Sequence, residues 1–185
     1  MNVFIDVVDN LIDEKELKEL CKMVQECPYH FGITDDPKGP PSGMGCWLIN
    51  PLTPTPLYNN SYLHNFVHSI VAKLGSMDKY GYMKDYKIER VGINLFFPRE
   101  TPSFHKDIPN GLTILVYCSN TFDISEQGET QFLIYNSNEN LEIKGVLPKP
   151  GRVVLFSGSI SHRATSYRNN HRFTLAIQMK NYECL

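Results

Sequence analysis

The stretch His105-Lys106-Asp107-Ile108-Pro109-Asn110-Gly111-Leu112-Thr113-Ile114-Leu115-Val116-Tyr117 decides how this sequence reads. It sets a histidine and a carboxylate two positions apart, then an Asn-Gly turn, then a β-prone apolar run. Side chains two apart in a strand share a face, so His105 and Asp107 project together while Lys106 turns away. On either side the texture is the same, with short β-prone runs separated by turn residues. The pattern predicts strands over 88–97, 102–107, 112–118, 130–135, 141–146, 152–156, 161–166 and 172–179. Pro98, Glu126-Gln127-Gly128, Asn136–Asn140, Pro150-Gly151 and Asn169-Asn170 break the chain between them. Eight short strands of this kind argue for a jelly roll or a sandwich, mainly β with helices at its flank.

Upstream the periodicity changes. Residues 3–8 make a short β-prone opening, and Asp9 or Asp13 can cap a helix running to about Cys27. Within it Leu17, Leu20, Cys21 and Val24 repeat at helical spacing. A second helix is expected from Ser61 to Leu74, with Ser61 as cap, Gly75 as terminator and Leu63, Phe66, Val67, Ile70, Val71 and Leu74 on one face. His64 and His68 lie four apart on it without the glutamate of an H-E-x-x-H motif, and read as surface or packing positions. Between the helices, residues 28–60 are rich in proline and glycine and include the only tryptophan, Trp47. No long regular element is expected there, and a loop of that length reads either as a lid or substrate-facing segment or as a surface excursion pinned down by its aromatics.

The chain has 185 residues, 42% of them hydrophobic, which is enough for one sizeable core but short for two. The expectation is a single domain over 1–185, with helical support and lid in 1–87 and the β core in 88–180. A net charge of -2 from 18 basic and 20 acidic residues provides no basic stripe for a phosphate backbone, so nucleic acid is a disfavoured partner. Five cysteines, odd in number and never in a C-x-x-C pair, suit free thiols in a reducing compartment. No run of about 18 apolar residues occurs and the first residues lack the pattern of a leader, so a soluble, cytoplasmic protein without a membrane span is expected.

H-x-D alone is a weak motif; its company strengthens it. His162 follows the strand Val153–Phe156 and the turn Ser157-Gly158, and two histidines with one carboxylate suggest a facial iron triad. Such a set leaves cis positions open, where a chelating cosubstrate and dioxygen can bind side by side. Arg172 opens the next β run with Thr174 two residues on, on the same face, where a guanidinium fork and a hydroxyl can clamp a carboxylate. The alternative for Arg172, a surface ion pair, leaves the apolar run Phe173-Thr174-Leu175-Ala176-Ile177 unexplained.

The run from His105 to Met179 resembles the iron(II)- and 2-oxoglutarate-dependent oxygenases, most closely the prolyl 4-hydroxylase-like branch with its small phage-encoded members. The resemblance rests on five pieces in order: His105-Lys-Asp107, Thr113-Ile-Leu-Val-Tyr117, Gly128-Glu-Thr130-Gln-Phe132, Pro150–Arg163, and Arg172-Phe-Thr174-Leu-Ala. It implies a double-stranded β-helix core, Fe(2+) held by His105, Asp107 and His162, and 2-oxoglutarate whose distal carboxylate meets Arg172. It further implies that Tyr117 donates to that carboxylate, that Thr174 stands at a cosubstrate-binding position, and that Asn94 matches a cosubstrate-binding asparagine of the alkyl-repair branch. Core packing is the other reading of Tyr117. Arg163 is read as a contact to cosubstrate or substrate, or as a surface residue. Two positions depart from the family: Phe96 and Phe97 stand where a tyrosine is common, and Gln127-Gly128 replaces Gly-Gly. The reaction implied is hydroxylation of a C–H bond with dioxygen, on a peptide or protein substrate such as a prolyl residue. A nucleic-acid base or small metabolite is the alternative substrate, and a non-catalytic β-helix binding module the alternative function.

Overall fold

The computed structural model describes residues 4–33, 43–51, 55, 57, 59–100, 102–136 and 140–182. In chain order the elements are β1 (Ile5–Val8), α1 (Glu14–Gln25), β2 (His30–Ile33), β3 (Gly43–Ile49), α2 (Ser61–Gly75), β4 (Tyr86–Phe96), β5 (Gly111–Tyr117), β6 (Thr130–Tyr135), β7 (Leu141–Val146), β8 (Val153–Ser157), β9 (His162–Ala164) and β10 (Arg172–Asn181). Short 3-10 segments cover Asp78–Asp85 and Ile124–Glu126. Seven strands form a major sheet in the order β1-β8-β5-β10-β4-β3-β2, and three form a minor sheet, β7-β6-β9. Every described pairing is antiparallel. No described helix is long and apolar enough to cross a membrane.

The major sheet is two-faced because its central strands alternate. Leu175, Ile177 and Met179 of β10, Val91 and Ile93 of β4, and Ile114 and Val116 of β5 are buried in the larger core cluster. That cluster also holds Leu20, Cys21 and Val24 of α1 and Leu63, Phe66, Val67, Ile70 and Leu74 of α2. The helices therefore cover one face of the sheet with the stripes their periodicity predicts. On the other face, Arg172, Thr174, Ala176 and Gln178 of β10 and Arg90, Gly92, Asn94 and Phe96 of β4 line a cavity between the sheets. A second, smaller cluster holds Leu115, Tyr117, Phe132, Val154 and Phe156, of which Leu115 and Phe156 form part of the cavity wall. Cys21, Cys27, Cys46 and Cys118 are free thiols, and burial pushes Cys21 and Cys46 up to about 11. They are therefore neutral apolar packing at ordinary pH, while Cys184 lies outside the described residues.

Several expectations change in the fold. Residues 28–60 hold two strands, β2 and β3, that extend the major sheet beyond β4. Gly43 and Gly45 lower the β propensity of that run, but pairing with β4 overrides it. Within the segment 28–60 read as a lid, residues 34–42, 52–54, 56 and 58 lie outside the described residues. With β1, β2 and β3 all in the major sheet, residues 1–87 supply sheet as well as helices. The strand expected over 102–107 is absent as a regular element; His105 makes only an isolated bridge to His162. Pro102 and Pro109 bracket the segment and remove backbone donors that a ladder would need. The strand expected over 161–166 contracts to His162–Ala164. The cap of α2 is Asn60, whose side chain accepts from Leu63 N at 3.0 Å, rather than Ser61.

Helix α1 begins in a complete capping box: Asp13 Oδ1 accepts from Glu16 N at 2.8 Å, and Glu16 Oε2 accepts from Asp13 N at 3.2 Å. Replacing Asp13 by Ala leaves that helix start without its side-chain acceptor, and a loss of about 1 kcal/mol is expected. Chemical denaturation of Asp13→Ala against wild type measures it, with a lower midpoint and an unchanged slope as the expected outcome.

Candidate metal centre and its pocket

Backbone pairing brings the three candidate ligands together although they come from separate parts of the chain. His105 N donates to His162 O at 2.9 Å and His162 N to His105 O at 2.8 Å, while Asp107 N donates to Gly158 O at 2.9 Å. The resulting side chains converge: His105, Asp107 and His162 place one donor atom each within 4.8 Å of one another, the one such group among the described residues. Asp107 Oδ1 lies 3.8 Å from His105 Nε2 and Oδ2 lies 3.6 Å from His162 Nε2. His162 Nδ1 faces Ile160 O at 3.0 Å and His105 Nδ1 faces Ser103 O at 3.3 Å. A carbonyl can only accept, so each Nδ1 carries the proton and each Nε2 presents a lone pair to the centre. Two imidazole nitrogens and a carboxylate suit a borderline divalent ion such as iron(II), and their convergence fits such an ion.

Asp107 is held from both sides by residues that sequence reading passed over. Gln178 Nε2 donates to Oδ1 at 2.7 Å and Thr113 Oγ1 donates to Oδ2 at 2.5 Å. The two holders are register neighbours on β10 and β5. Phe156 packs edge-on against the His162 ring at 4.7 Å between centroids and fixes its plane. His64 and His68 sit on α2 and belong to no described cluster.

A cavity of about 590 Å³ opens beside the three candidate ligands. Arg172 lies in its wall and is only 1% exposed, so it is no surface residue. Its Nε donates to Gly128 O and its Nη2 to Thr130 Oγ1, each at 2.9 Å. Its guanidinium carbon lies 5.2 Å from the Phe96 ring centroid and 5.3 Å from that of Tyr117. No carboxylate pairs with it among the described residues. Thr174 and Asn94 also line the cavity and are opposite one another in the β10–β4 register. Tyr117 stands behind the lining, fully buried, with its hydroxyl 2.7 Å from Thr130 Oγ1 and 3.0 Å from Val146 O. Burial pushes its phenol pKa up, opposed by the Arg172 charge, so Tyr117 remains a proton donor. Arg163 turns away from the cavity, with Nε donating to Gln131 Oε1 at 2.9 Å and its guanidinium over Phe104.

The grip on Asp107 has a measurable consequence. Gln178→Leu removes a hydrogen bond that orients a candidate ligand, and metal affinity is expected to fall roughly 10- to 100-fold. Competition titration with a chelating dye measures it, with Thr113→Val expected to act in the same direction; unchanged affinity in both variants removes these residues from the centre.

Neither a protein-family model nor a curated protein sequence matches this chain. Solved structures do match. An oxidoreductase of the 2OG-Fe(II) oxygenase family from Burkholderia pseudomallei superposes with a TM-score of 0.74 at 16% identity, covering 96% of this chain and 85% of that one. A Pseudomonas putida prolyl-4-hydroxylase gives 0.68 at 11% identity, covering 97% and 94%. A prolyl hydroxylase from Trichoplax adhaerens, solved with a peptide fragment of the hypoxia inducible factor oxygen degradation domain, gives 0.64 at 16%, covering 97% and 84%. The chain thus has the double-stranded β-helix fold of the 2OG-Fe(II) oxygenases.

Proposed function

We propose that the protein is an iron(II)- and 2-oxoglutarate-dependent dioxygenase that hydroxylates a C–H bond, with a peptidyl residue such as proline as its substrate. The observation that carries this reading is Arg172. A buried guanidinium without a carboxylate partner is costly unless an anion arrives to pair with it, and this one shares a cavity with a two-histidine, one-carboxylate cluster. Iron(II) on His105, Asp107 and His162 supplies the coupling of C–H hydroxylation by dioxygen to decarboxylation of 2-oxoglutarate, giving succinate and carbon dioxide.

The chain's own residues supply the rest. Arg172 takes the distal carboxylate of 2-oxoglutarate with the nitrogen edge that faces the cavity. Gly128 O and Thr130 Oγ1 hold the fork in place from behind, and Tyr117 orients Thr130 in turn. Thr174 and Asn94 line the path between Arg172 and the ligands as further cosubstrate contacts. Leu115, Phe156 and Ala176 contribute apolar wall that keeps water from the reacting atoms. The peptidyl substrate is supported by the prolyl hydroxylases among the matching folds, one of them solved with a peptide.

Anaerobic addition of iron(II) and 2-oxoglutarate is expected to give a weak visible charge-transfer band, absent in His105→Ala. Oxygen-dependent succinate formation should then rise above the uncoupled background with at least one member of a panel of proline peptides. No band and no succinate would sink the oxygenase reading, and succinate without peptide dependence would sink the peptidyl one. Arg172→Lys keeps the charge but loses the fork. It should raise the KM for 2-oxoglutarate at least tenfold while iron affinity is retained; an unchanged KM removes Arg172 from the cosubstrate site.

A further inference from the structure

A second arginine in the same cavity has no described anionic partner, and it lies away from Arg172. Arg90 and Gln178 are opposite one another across the β10–β4 ladder and both line the cavity. Each buries one polar atom that lacks a hydrogen-bond partner, Nε in Arg90 and Oε1 in Gln178. Such atoms are scarce in folded proteins, because an unmade buried hydrogen bond is costly. Here the two belong to residues that face one another across a ladder, and their requirements are opposite.

The orientation of the Gln178 amide is fixed chemically. Its nitrogen donates to the Asp107 carboxylate, which can only accept, so its oxygen is the atom left needing a donor. Arg90 needs an acceptor, and it stacks on Trp47 instead of pairing with Gln178, its guanidinium carbon 5.2 Å from the ring centroid. Trp47 in turn packs against Gly92, its register partner on β4, where a Cβ would come within 2.7 Å of the indole. Gly92 therefore makes the room in which Trp47 can support Arg90. Both ladders slip at this place, β10–β4 after Gln178 and β3–β4 after Trp47. Bulges of this sort re-aim side chains beside functional sites.

We propose that Arg90 and Gln178 form a substrate subsite that takes an α-carboxylate together with the neighbouring α-N–H, as carried by a free amino acid or by the C-terminal residue of a peptide. The carboxylate accepts from Arg90 and the N–H donates to Gln178 Oε1. The two groups are joined through one carbon, which matches a donor and an acceptor on facing positions of paired strands. This subsite rests on the oxygenase reading: a C-terminal peptide residue in it narrows the peptidyl substrate proposed above, whereas a free amino acid in it replaces that substrate. It is separate from the cosubstrate anchor, since Arg172 and Gln178 are six residues apart on β10, roughly 20 Å at the rise of a strand. Because Gln178 also holds Asp107, the substrate would be seated next to the metal ligands.

Trp47 is the only tryptophan and touches Arg90, so its fluorescence reports occupancy without turnover. The protein, loaded anaerobically with iron(II) and 2-oxoglutarate, is titrated with the twenty free amino acids and their primary amides, then with dipeptides bearing free or amidated C-termini. At least one free acid should give a saturable change in Trp47 emission, with its amide weaker by roughly tenfold or more. Arg90→Gln should abolish that acid-over-amide preference, and Arg90→Lys, which keeps the charge without the fork, should reduce it. Should Arg90→Gln fail to fold by circular dichroism, Arg90→Lys carries the comparison. The free amino acid and dipeptide series separate the two sources of the carboxylate. Equal binding of acid and amide, no response to any acid, or a preference that survives substitution of Arg90 overturns the subsite. The visible iron band is read on the same samples. A band without acid preference overturns the subsite alone, whereas no band in the wild type overturns the oxygenase reading on which it rests.

Discussion

The structure depends on strands that must satisfy two surroundings at once. β10 and β4 put aliphatic side chains under the helices at one set of alternate positions and polar side chains into the cavity at the other. A shift of pairing by one residue would exchange the two sets, exposing Leu175 and Ile177 to the cavity and driving Arg172 and Gln178 into the helix-covered core. Burial of the aliphatic set therefore fixes the register, and the register fixes which polar groups face one another. The geometry of the site follows from the packing on the reverse side of the sheet.

Much of this was legible because alternation survives in the bare sequence. Arg172-Phe-Thr174-Leu-Ala-Ile reads correctly as a strand with a polar face, and His105, Asp107 and His162 do converge. The role of Gln178 was not legible, since no motif includes it and its meaning lies in what stands across the ladder. Nor was that of Trp47, whose strand hides among glycines and depends on β4 for its existence. Arg90 carried no signal at all. Its position opposite Gln178 is created by pairing and by two bulges, neither of which leaves a trace in local propensity.

The cavity wall also divides its charge in an unusual manner. Outside the cavity, Arg152 is matched by Asp9 through two bonds of 2.7 and 2.8 Å. Within the cavity, Arg172 and Arg90 both lean on aromatic rings, Phe96 and Tyr117 for one and Trp47 for the other. Ring faces attract a cation without neutralising it, so both guanidinium groups keep their capacity to draw in negative charge.

The tether of the His105–Asp107 segment has a consequence for how the protein holds together. This stretch is no full strand; three backbone hydrogen bonds join it to Gly158 and His162. A weakly laddered segment opens locally at lower free energy than the sheet interior. An ion shared by His105, Asp107 and His162 would act as a cross-link between parts of the chain far apart in sequence, restricting the opened ensemble as well as joining the closed one. The local rigidity of this corner is then a function of metal supply, and the protein's exposure to proteolysis there would rise and fall with the ion's availability.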